Sequence, residues 1–176
     1  MYNDEIKIPL ERVAVLLGKK GSLKRKIEKL TNTKLQVSSE DGTIIILGEE
    51  SLNVYESRQI VRAIARGFNS WLALTLHEEN IILEVIEIQE YSGRSKAKLA
   101  RLRGRCIGRE GRSRMTVEEL TSTNISVYGK TVAIIGSYEN VGIARKAIES
   151  LLSGSKHANI YKWLEKMRAS LKQSLQ

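Results

Sequence analysis

The sequence predicts an α+β fold in which one module occurs twice and a helix follows at the C-terminus. Residues 17–22 match residues 107–112, and residues 30–33 match residues 120–123 at the same offset. In both copies, short runs rich in β-branched residues alternate with longer helix-forming runs in the same order. Together these observations predict the order strand, helix, helix, strand, strand, helix in each copy, with Gly-x-x-Gly between the first two helices.

The elements of the first copy are predicted from hydrophobic spacing and turn residues. Leu23, Ile27 and Leu30 lie at helical spacing, which places them on one face of the second helix. Asp41 and Gly42 are typical turn residues between two apolar runs. The predicted elements are a strand at 5–8, helices at 10–17 and 22–31, strands at 35–37 and 43–47, and a long helix that Ser51 caps and that extends to about Leu74.

The second copy repeats this pattern. Its first strand is predicted from β-branched content, its first helix from a run of Lys, Ala, Leu and Arg, and its hairpin from the turn at Gly129 and Lys130. The predicted elements are a strand at 81–90, helices at 95–107 and 113–120, strands at 124–128 and 131–135, and a helix at 141–152.

The remaining C-terminal segment predicts an amphipathic helix, because Ile160, Leu164, Met167 and Leu171 lie at helical spacing. Such a helix either packs on the body as additional core or docks on a partner. The predicted organisation is a first module at 1–76, a second module at 77–154, and a helix at 155–176 that packs on the body.

Composition excludes several classes of protein. The chain has 176 residues, is 41% hydrophobic, and has one cysteine, which excludes an internal disulfide and a cysteine-rich zinc site. Its apolar runs are too short to span a bilayer, and its N-terminus lacks the pattern of a signal peptide. We therefore expect a cytoplasmic protein that binds no membrane, no metal and no cofactor.

The excess positive charge is confined to the second half of the chain. Residues 1–90 have 12 basic and 14 acidic side chains, whereas residues 91–176 have 17 basic and 6 acidic ones. This asymmetry is typical of proteins that bind a polyanion, most often a nucleic acid. The alternative is a charge that only maintains solubility.

The two Gly-x-x-Gly segments, 18–21 and 108–111, are the strongest functional signal. Glycine tolerates positive φ and permits close backbone approach, and a helix that begins at the second glycine exposes unpaired N–H groups to an anion. A single such segment is usually only a turn. Its occurrence twice, at equivalent places in a repeat, favours a phosphate-binding loop.

The element order and these loops resemble the type I (eukaryotic-type) KH domain, with Ile107-Gly108-Arg109-Glu110-Gly111 and Leu17-Gly18-Lys19-Lys20-Gly21 in the place of its signature. The resemblance implies tandem KH domains, each with a three-stranded antiparallel sheet and each clamping about four nucleotides of single-stranded RNA at the loop. It also implies an apolar groove for the bases. The matching positions are Cys106, Ile107, Val117, Ile125 and Val127 in the second module, and Leu16, Leu17, Ile27, Leu35 and Val37 in the first. The alternative for each of these side chains is an ordinary place in the core.

The basic residues around the second loop are expected to contact RNA. Residues 94–114 include nine basic side chains and one acid, Glu110, and four of the basic residues recur at steps of three and four. The alternative is a solvated charged face, and weaker RNA binding or a protein-facing surface is expected in the first module. The predicted RNA-binding residues are Lys98, Arg101, Arg105, Gly108, Arg109, Glu110, Gly111, Arg112 and Arg114 in the second module, and Gly18, Lys19, Lys20, Gly21 and Lys24 in the first.

The second module and the tail resemble a narrower family, the archaeal relatives of the eukaryotic "partner of Nob" (Dim-type) assembly factor of the small ribosomal subunit. The resemblance is carried by residues 82–88, by the basic first helix, and by residues 151–164. It implies binding to the 3′ end region of 16S rRNA, with the Nob endonuclease and the alpha subunit of translation initiation factor two as partners. The alternative is a protein-interaction adaptor with only modest RNA binding.

An enzymatic function is not indicated. His77 and His157 have no nucleophile or carboxylate at a recognisable catalytic spacing, and Cys106 at a helix end is expected to be a small core residue. The sequence also lacks a Gly-x-x-x-x-Gly-Lys phosphate loop and paired metal-ligand motifs. We therefore expect a binding protein without catalysis of its own.

Overall fold

The computed structural model describes residues 1–175 as two compact units, the first comprising Met1–Ile81 and the second beginning at Ile82. The second unit includes the C-terminal helix. Gln176, the last residue of the predicted C-terminal segment, lies outside the described residues.

The first unit has the predicted order of elements around one antiparallel sheet. Its strands are arranged β1-β3-β2, so that β3 is central and pairs Ile44 with Ile6 on one side and with Val37 on the other. The elements are β1 (Tyr2–Lys7), α1 (Leu10–Leu17), α2 (Ser22–Thr31), β2 (Thr33–Val37), β3 (Thr43–Gly48), α3 (Ser51–Ala65) and α4 (Ser70–Leu74).

The second unit repeats this topology, with strands in the order β4-β6-β5 and Ile125 opposite Ile134 in the central pairing. It adds a short helix before its first long helix, and a C-terminal helix after its last. The elements are β4 (Ile81–Glu87), α5 (Gln89–Ser92), α6 (Lys96–Ile107), α7 (Arg112–Thr121), β5 (Asn124–Tyr128), β6 (Thr131–Ser137), α8 (Tyr138–Leu152) and α9 (His157–Ser174). The α+β expectation and the repeat are confirmed.

Several predicted element boundaries differ from the structure, among them the 5–8 strand, which is Tyr2–Lys7, and the 141–152 helix, which begins at Tyr138. The predicted helix from Ser51 to about Leu74 breaks after Ala65, where Gly67 has φ +96°, and a separate helix begins with Asn69 Oδ1 accepting a hydrogen bond from Leu72 N at 2.9 Å. The predicted strand at 81–90 ends at Glu87, and the chain turns into α5. Ser51 is the first residue of α3 rather than its cap.

In each unit, an arginine on the first long helix forms hydrogen bonds with carbonyl oxygens at and just beyond the end of the last long helix. Arg12 donates to the carbonyl oxygens of Ile64 and Phe68, both at 2.7 Å. Arg105 donates through Nε to Leu151 O at 2.9 Å and through Nη2 to Ser155 O at 2.5 Å. Each guanidinium thus links the first long helix to the C-terminal end of the last long helix and to a carbonyl just beyond it.

Helix α9 completes the core of the second unit. Ile160 and Leu164 are buried against that core, with Trp163 partly buried beside them. Its first turn is held by the hydrogen bond between His157 Nε2 and Arg105 O, at 3.0 Å. Among the described residues, none of the helices is long and apolar enough to cross a membrane.

Candidate nucleic-acid interface

The two Gly-x-x-Gly loops follow nearly the same backbone path. Gly18 and Gly108 end the preceding helices with φ of +69° and +74°, and both have an extended ψ. The third loop residues, Lys20 and Glu110, are left-handed at φ +53° and +55°. A shared path in two different sequences indicates that the glycines determine the loop geometry.

The first glycine of each loop is required by close contact as well as by φ. A Cβ atom added to Gly108 would lie 2.6 Å from Ser113 N, and one added to Gly18 would lie 2.9 Å from Leu23 N. Any side chain at these positions would push the loop away from the following helix. At Gly111 the nearest atoms are side-chain ends at 3.8 and 3.9 Å, so only its φ of +75° favours glycine there.

Each loop opens directly into a helix whose N-terminus has no side-chain cap. Gly21 and Gly111 are the N-cap residues of α2 and α7, and neither offers an oxygen to the first-turn N–H groups. Such N–H groups and the helix dipole attract an anion. The predicted phosphate site at each loop therefore coincides with an uncapped helix N-terminus.

The side chains around the loops differ between the modules. Lys19 and Lys20 are exposed in the first loop, and Arg109 is exposed in the second. In the second loop the carboxylate of Glu110 lies 3.7 Å from Arg112 Nη2, and both side chains are about three quarters exposed. This exposed pair leaves Arg112 available to a phosphate, because such pairs are weak in water.

Met115 and Arg25, which are not among the predicted RNA-binding residues, occupy equivalent positions beside the two loops. Arg25 Nη1 donates to Lys20 O at 2.9 Å. Met115 is 46% exposed, and its Cε lies 3.9 Å from the place of a Cβ atom on Gly111. Both side chains therefore lie against their loops.

The predicted base groove of the second module is corrected in part. Cys106 and Val117 have no exposed surface, and Ile125 is 4% exposed, so these three side chains pack in the core. Only Ile107 and Val127 are half-exposed and able to face a base. The same holds in the first module, where Leu17 and Val37 are half-exposed. The buried first-module positions are Leu16, Ile27 and Leu35.

Burial also determines the chemistry of the single thiol. Removal from water raises the pKa of Cys106 to about 12. The thiol is therefore protonated and unreactive at neutral pH.

A carboxylate covers the edge strand in each module. Glu118 Oε1 accepts a hydrogen bond from Ile125 N at 2.8 Å, and its other oxygen pairs with Arg114 Nη1 at 2.8 Å. Glu28 does the same with Leu35 N and Lys24 Nζ, at 2.8 and 2.9 Å.

These contacts set the charge of the carboxylate. Burial raises the pKa of Glu28, but the hydrogen bond from Leu35 N and the pairing with Lys24 outweigh it, so that the pKa is lowered overall. The predicted RNA contacts Lys24 and Arg114 therefore already have anionic partners.

The basic residues of α6 divide into two groups. Lys98 and Arg101 are exposed, and within residues 1–175 neither has an ion-pair partner. Arg105 differs, because its guanidinium donates through Nε and Nη2 to main-chain oxygens at and just after the end of α8, and its contact with RNA stays a prediction.

The remaining candidate residues do not form a catalytic or metal centre. His77 Nδ1 lies 3.2 Å from Glu56 Oε2, and His157 bonds the Arg105 carbonyl. Across residues 1–175, no group of three His, Cys, Asp or Glu side chains could hold a metal ion.

Comparison with known families assigns both modules. Residues 82–169 match the model of the eukaryotic-type KH domain (KH-domain type I) of PNO1, and residues 3–63 match a general KH-domain model. The chain is 49% identical over 173 residues to a KH domain-containing protein of Methanocaldococcus jannaschii, which covers 96% of this chain and 75% of that protein. The chain belongs to the PNO1/Dim2 family of KH-domain proteins. The predicted tandem KH architecture is confirmed.

A curated relative and a solved structure give two further similarities. The RNA-binding protein pno-1 of Caenorhabditis briggsae is 32% identical over 122 residues, which are 68% of this chain and 44% of the worm protein. The chain thus corresponds to less than half of that relative. A crystal structure of a Pyrococcus horikoshii complex of a/eIF2alpha, aDim2p and rRNA is similar to this chain, with a TM-score of 0.88, 43% identity, and coverage of 96% of this chain and 95% of that one.

Proposed function

We propose that this chain is a non-catalytic RNA-binding protein of small-subunit ribosome biogenesis, which binds single-stranded RNA at the 3′ end region of 16S rRNA. The observation that carries the proposal is the second loop, where two glycines with positive φ place an exposed arginine beside an uncapped helix N-terminus. Membership in a family with an RNA-binding relative and an rRNA complex supports the choice of RNA.

The second loop is the principal site in this proposal. The phosphodiester lies across Gly108–Gly111, where Arg109 and Arg112 supply charge and the N–H groups at the start of α7 supply hydrogen bonds. The first loop binds more weakly, because the half of the chain that contains it has a net negative charge.

The bases lie against one side of α6, the helix that ends at the loop. Ala100 and Gly104 are exposed on this side, and a Cβ at Gly104 would meet nothing within 4 Å. Small residues there let a ribose or base approach the helix closely. Ile107 and Val127 supply the apolar contact, and the loop holds about four nucleotides.

The partners follow from the same proposal. The complex of an archaeal relative contains a/eIF2alpha and rRNA, which supports the alpha subunit of translation initiation factor two as a partner of this chain. The Nob endonuclease and a cytoplasmic location come from the family resemblance. In this arrangement the chain supplies no catalytic group and positions RNA for other proteins.

The proposal is tested by RNA-binding titrations of paired loop variants. Arg109→Asp with Glu110→Asp places acids in the second loop, and Asp tolerates the left-handed φ at position 110 better than most residues. We expect fluorescence anisotropy with a 16S 3′-end single strand to show a loss of affinity of at least about tenfold, which is about 1.4 kcal/mol.

The matched variant is Lys19→Asp with Lys20→Asp in the first loop, and we expect a smaller loss. Scrambled RNA and a duplex serve as controls for sequence and for single-strand selectivity, and circular dichroism verifies folding. Unchanged affinity in the folded second-loop variant would remove that loop from the mechanism. Equal binding to every RNA would refute the 16S assignment.

A second candidate function, a protein-interaction adaptor, is favoured by the same complex, because it contains a protein partner as well as rRNA. The two functions differ in their response to salt. Binding through several phosphate contacts weakens steeply with salt, whereas an apolar protein contact does not.

A further inference from the structure

The exposed cations of α6 lie on different sides of the helix. With 3.6 residues per turn, Lys96 lies roughly 20° from Ile107, whereas Lys98 and Arg101 lie roughly 180° and 120° from it. Leu102 and Cys106 face the core. A nucleotide held at Ile107 and the loop is thus separated from Lys98 by the body of the helix, and Arg101 lies between the groove side and Lys98.

Arg105 shows independently which way this side of α6 faces. It lies between Lys98 and Arg101 in helical angle, and its guanidinium reaches the carbonyls of Leu151 and Ser155. The cationic side is therefore directed towards the end of α8 and the turn that follows it. Lys156, which is exposed, comes directly after Ser155 and extends the same surface. We name Lys98, Arg101 and Lys156 the cationic flank.

The chemistry of the cationic flank suits a phosphate backbone and not bases. Helix α6 has no acidic residue, and its exposed residues are basic, alanine or glycine, with no aromatic side chain on which a base could stack. Lys98 and Arg101 are separated by roughly 5 Å of helix rise, a spacing suited to successive phosphates. Such contacts contribute affinity without sequence preference.

We propose that the cationic flank is a second RNA site, which binds the phosphate backbone of nucleotides flanking the segment held at the second loop. This inference rests on the proposed function, since it assumes that the loop binds the single strand. RNA longer than the segment in the groove passes around α6 and is held on both sides of that helix. The flank thereby favours long RNA over short fragments.

The test compares RNA length in a charge-reversed flank. Lys98→Glu with Arg101→Glu is titrated with single strands of about five and about fifteen nucleotides, the longer ones extended in either direction. The titrations are made at 0.15 M salt, where electrostatic interactions are screened beyond about 8 Å, so that charges not in contact with the RNA contribute little. We expect unchanged affinity for the short RNA, a loss of about tenfold for at least one long RNA, and a salt slope for that RNA that is smaller by about 1.4.

The matched control is Lys162→Glu with Lys166→Glu, which makes the same charge change at two exposed positions of α9. We expect it to affect long and short RNA equally little. An equal loss for short and long RNA in the flank variant would place Lys98 and Arg101 in the groove, and unchanged binding of both would make the flank a solvated surface. Either result overturns the inference. The Arg109→Asp with Glu110→Asp variant, titrated with the short RNA, tests the proposed function separately.

Discussion

The two modules have the same loop backbone, but different side chains pack beneath and beside it. Beneath the first loop lies Leu23, an 8% exposed core side chain, whereas the second loop covers Ser113, whose buried hydroxyl has no hydrogen-bond partner in the described structure. Beside the loops, Arg25 bonds the Lys20 carbonyl in one, and Met115 lies against Gly111 in the other. The backbone path is common to both because the glycines and their close contacts set it. The packing and charge of the side chains around the loops differ between the modules although the backbone path does not.

Charge distinguishes the modules where the loop motif does not. The motif occurs in both modules, but the excess basic charge occurs only in the second half of the chain. A duplicated module can therefore retain its geometry in both copies while the surface around one copy is adapted to a partner. The unfolding of each unit can be followed separately, because each unit has one tryptophan, Trp71 in the first and Trp163 in the second.

The largest expected change in unfolding free energy comes from a substitution in the second loop, whose two glycines should differ in their tolerance of a side chain. Gly108→Ala should lower the free energy of unfolding of the second unit by about 4 kcal/mol, because the new methyl group meets Ser113 N at 2.6 Å. Gly111→Ala should cost about 1 kcal/mol, since only the left-handed φ opposes it. Urea unfolding followed by Trp163 fluorescence in a Trp71→Phe background measures both. Equal losses would show that close contact does not distinguish these positions.

A smaller effect is expected from the residues beneath the loops. Leu23→Ser should destabilise the first unit by about 3 kcal/mol, because it removes a buried side chain and adds an unpaired hydroxyl. Ser113→Ala should stabilise the second unit by about 1 kcal/mol, because it removes the unpaired hydroxyl without adding volume. Urea unfolding curves that report each unit check both values. A destabilised Ser113→Ala protein would mean that this hydroxyl has a partner in solution.

The smallest expected change in stability concerns the single thiol, which is Cys106 in the second module where the first has Leu16. Because burial raises its pKa to about 12, the folded state favours the protonated thiol. The resulting stabilisation is complete below the ordinary thiol pKa and is lost as pH rises from there towards 12. Leu16 gives the first unit no such dependence.

Alkylation provides the measurement for this prediction. Iodoacetamide should label Cys106 only through opening of the second unit, so that the rate at pH 8 is lower by about a hundredfold or more than in urea. A destabilising change in the first unit, Leu23→Ser, is the control and should leave the labelling rate unchanged if the units open independently. Rapid labelling of the native protein would contradict the burial of this thiol.

Much of the fold follows from local sequence. The bounds of α1, α2 and β5 agree with their predictions, because hydrophobic spacing, glycine and turn residues act over a few neighbours. The break after Ala65 was missed because the helical pattern continues through Arg66 and Gly67 into the next helix. The loops were recognised from the glycines and from the repeat.

What sequence alone determined about this protein is the repeat, the two loops and the charge asymmetry, since each can be read directly from the order of residues. Tertiary structure decided which of the predicted contacts are free. Arg105 bonds the end of α8, Cys106 and Val117 lie in the core, and Glu118 covers an edge strand. The physical reason is that burial and hydrogen-bond partners depend on residues 50 or more positions away in the chain, as in the pairing of Arg105 with Ser155.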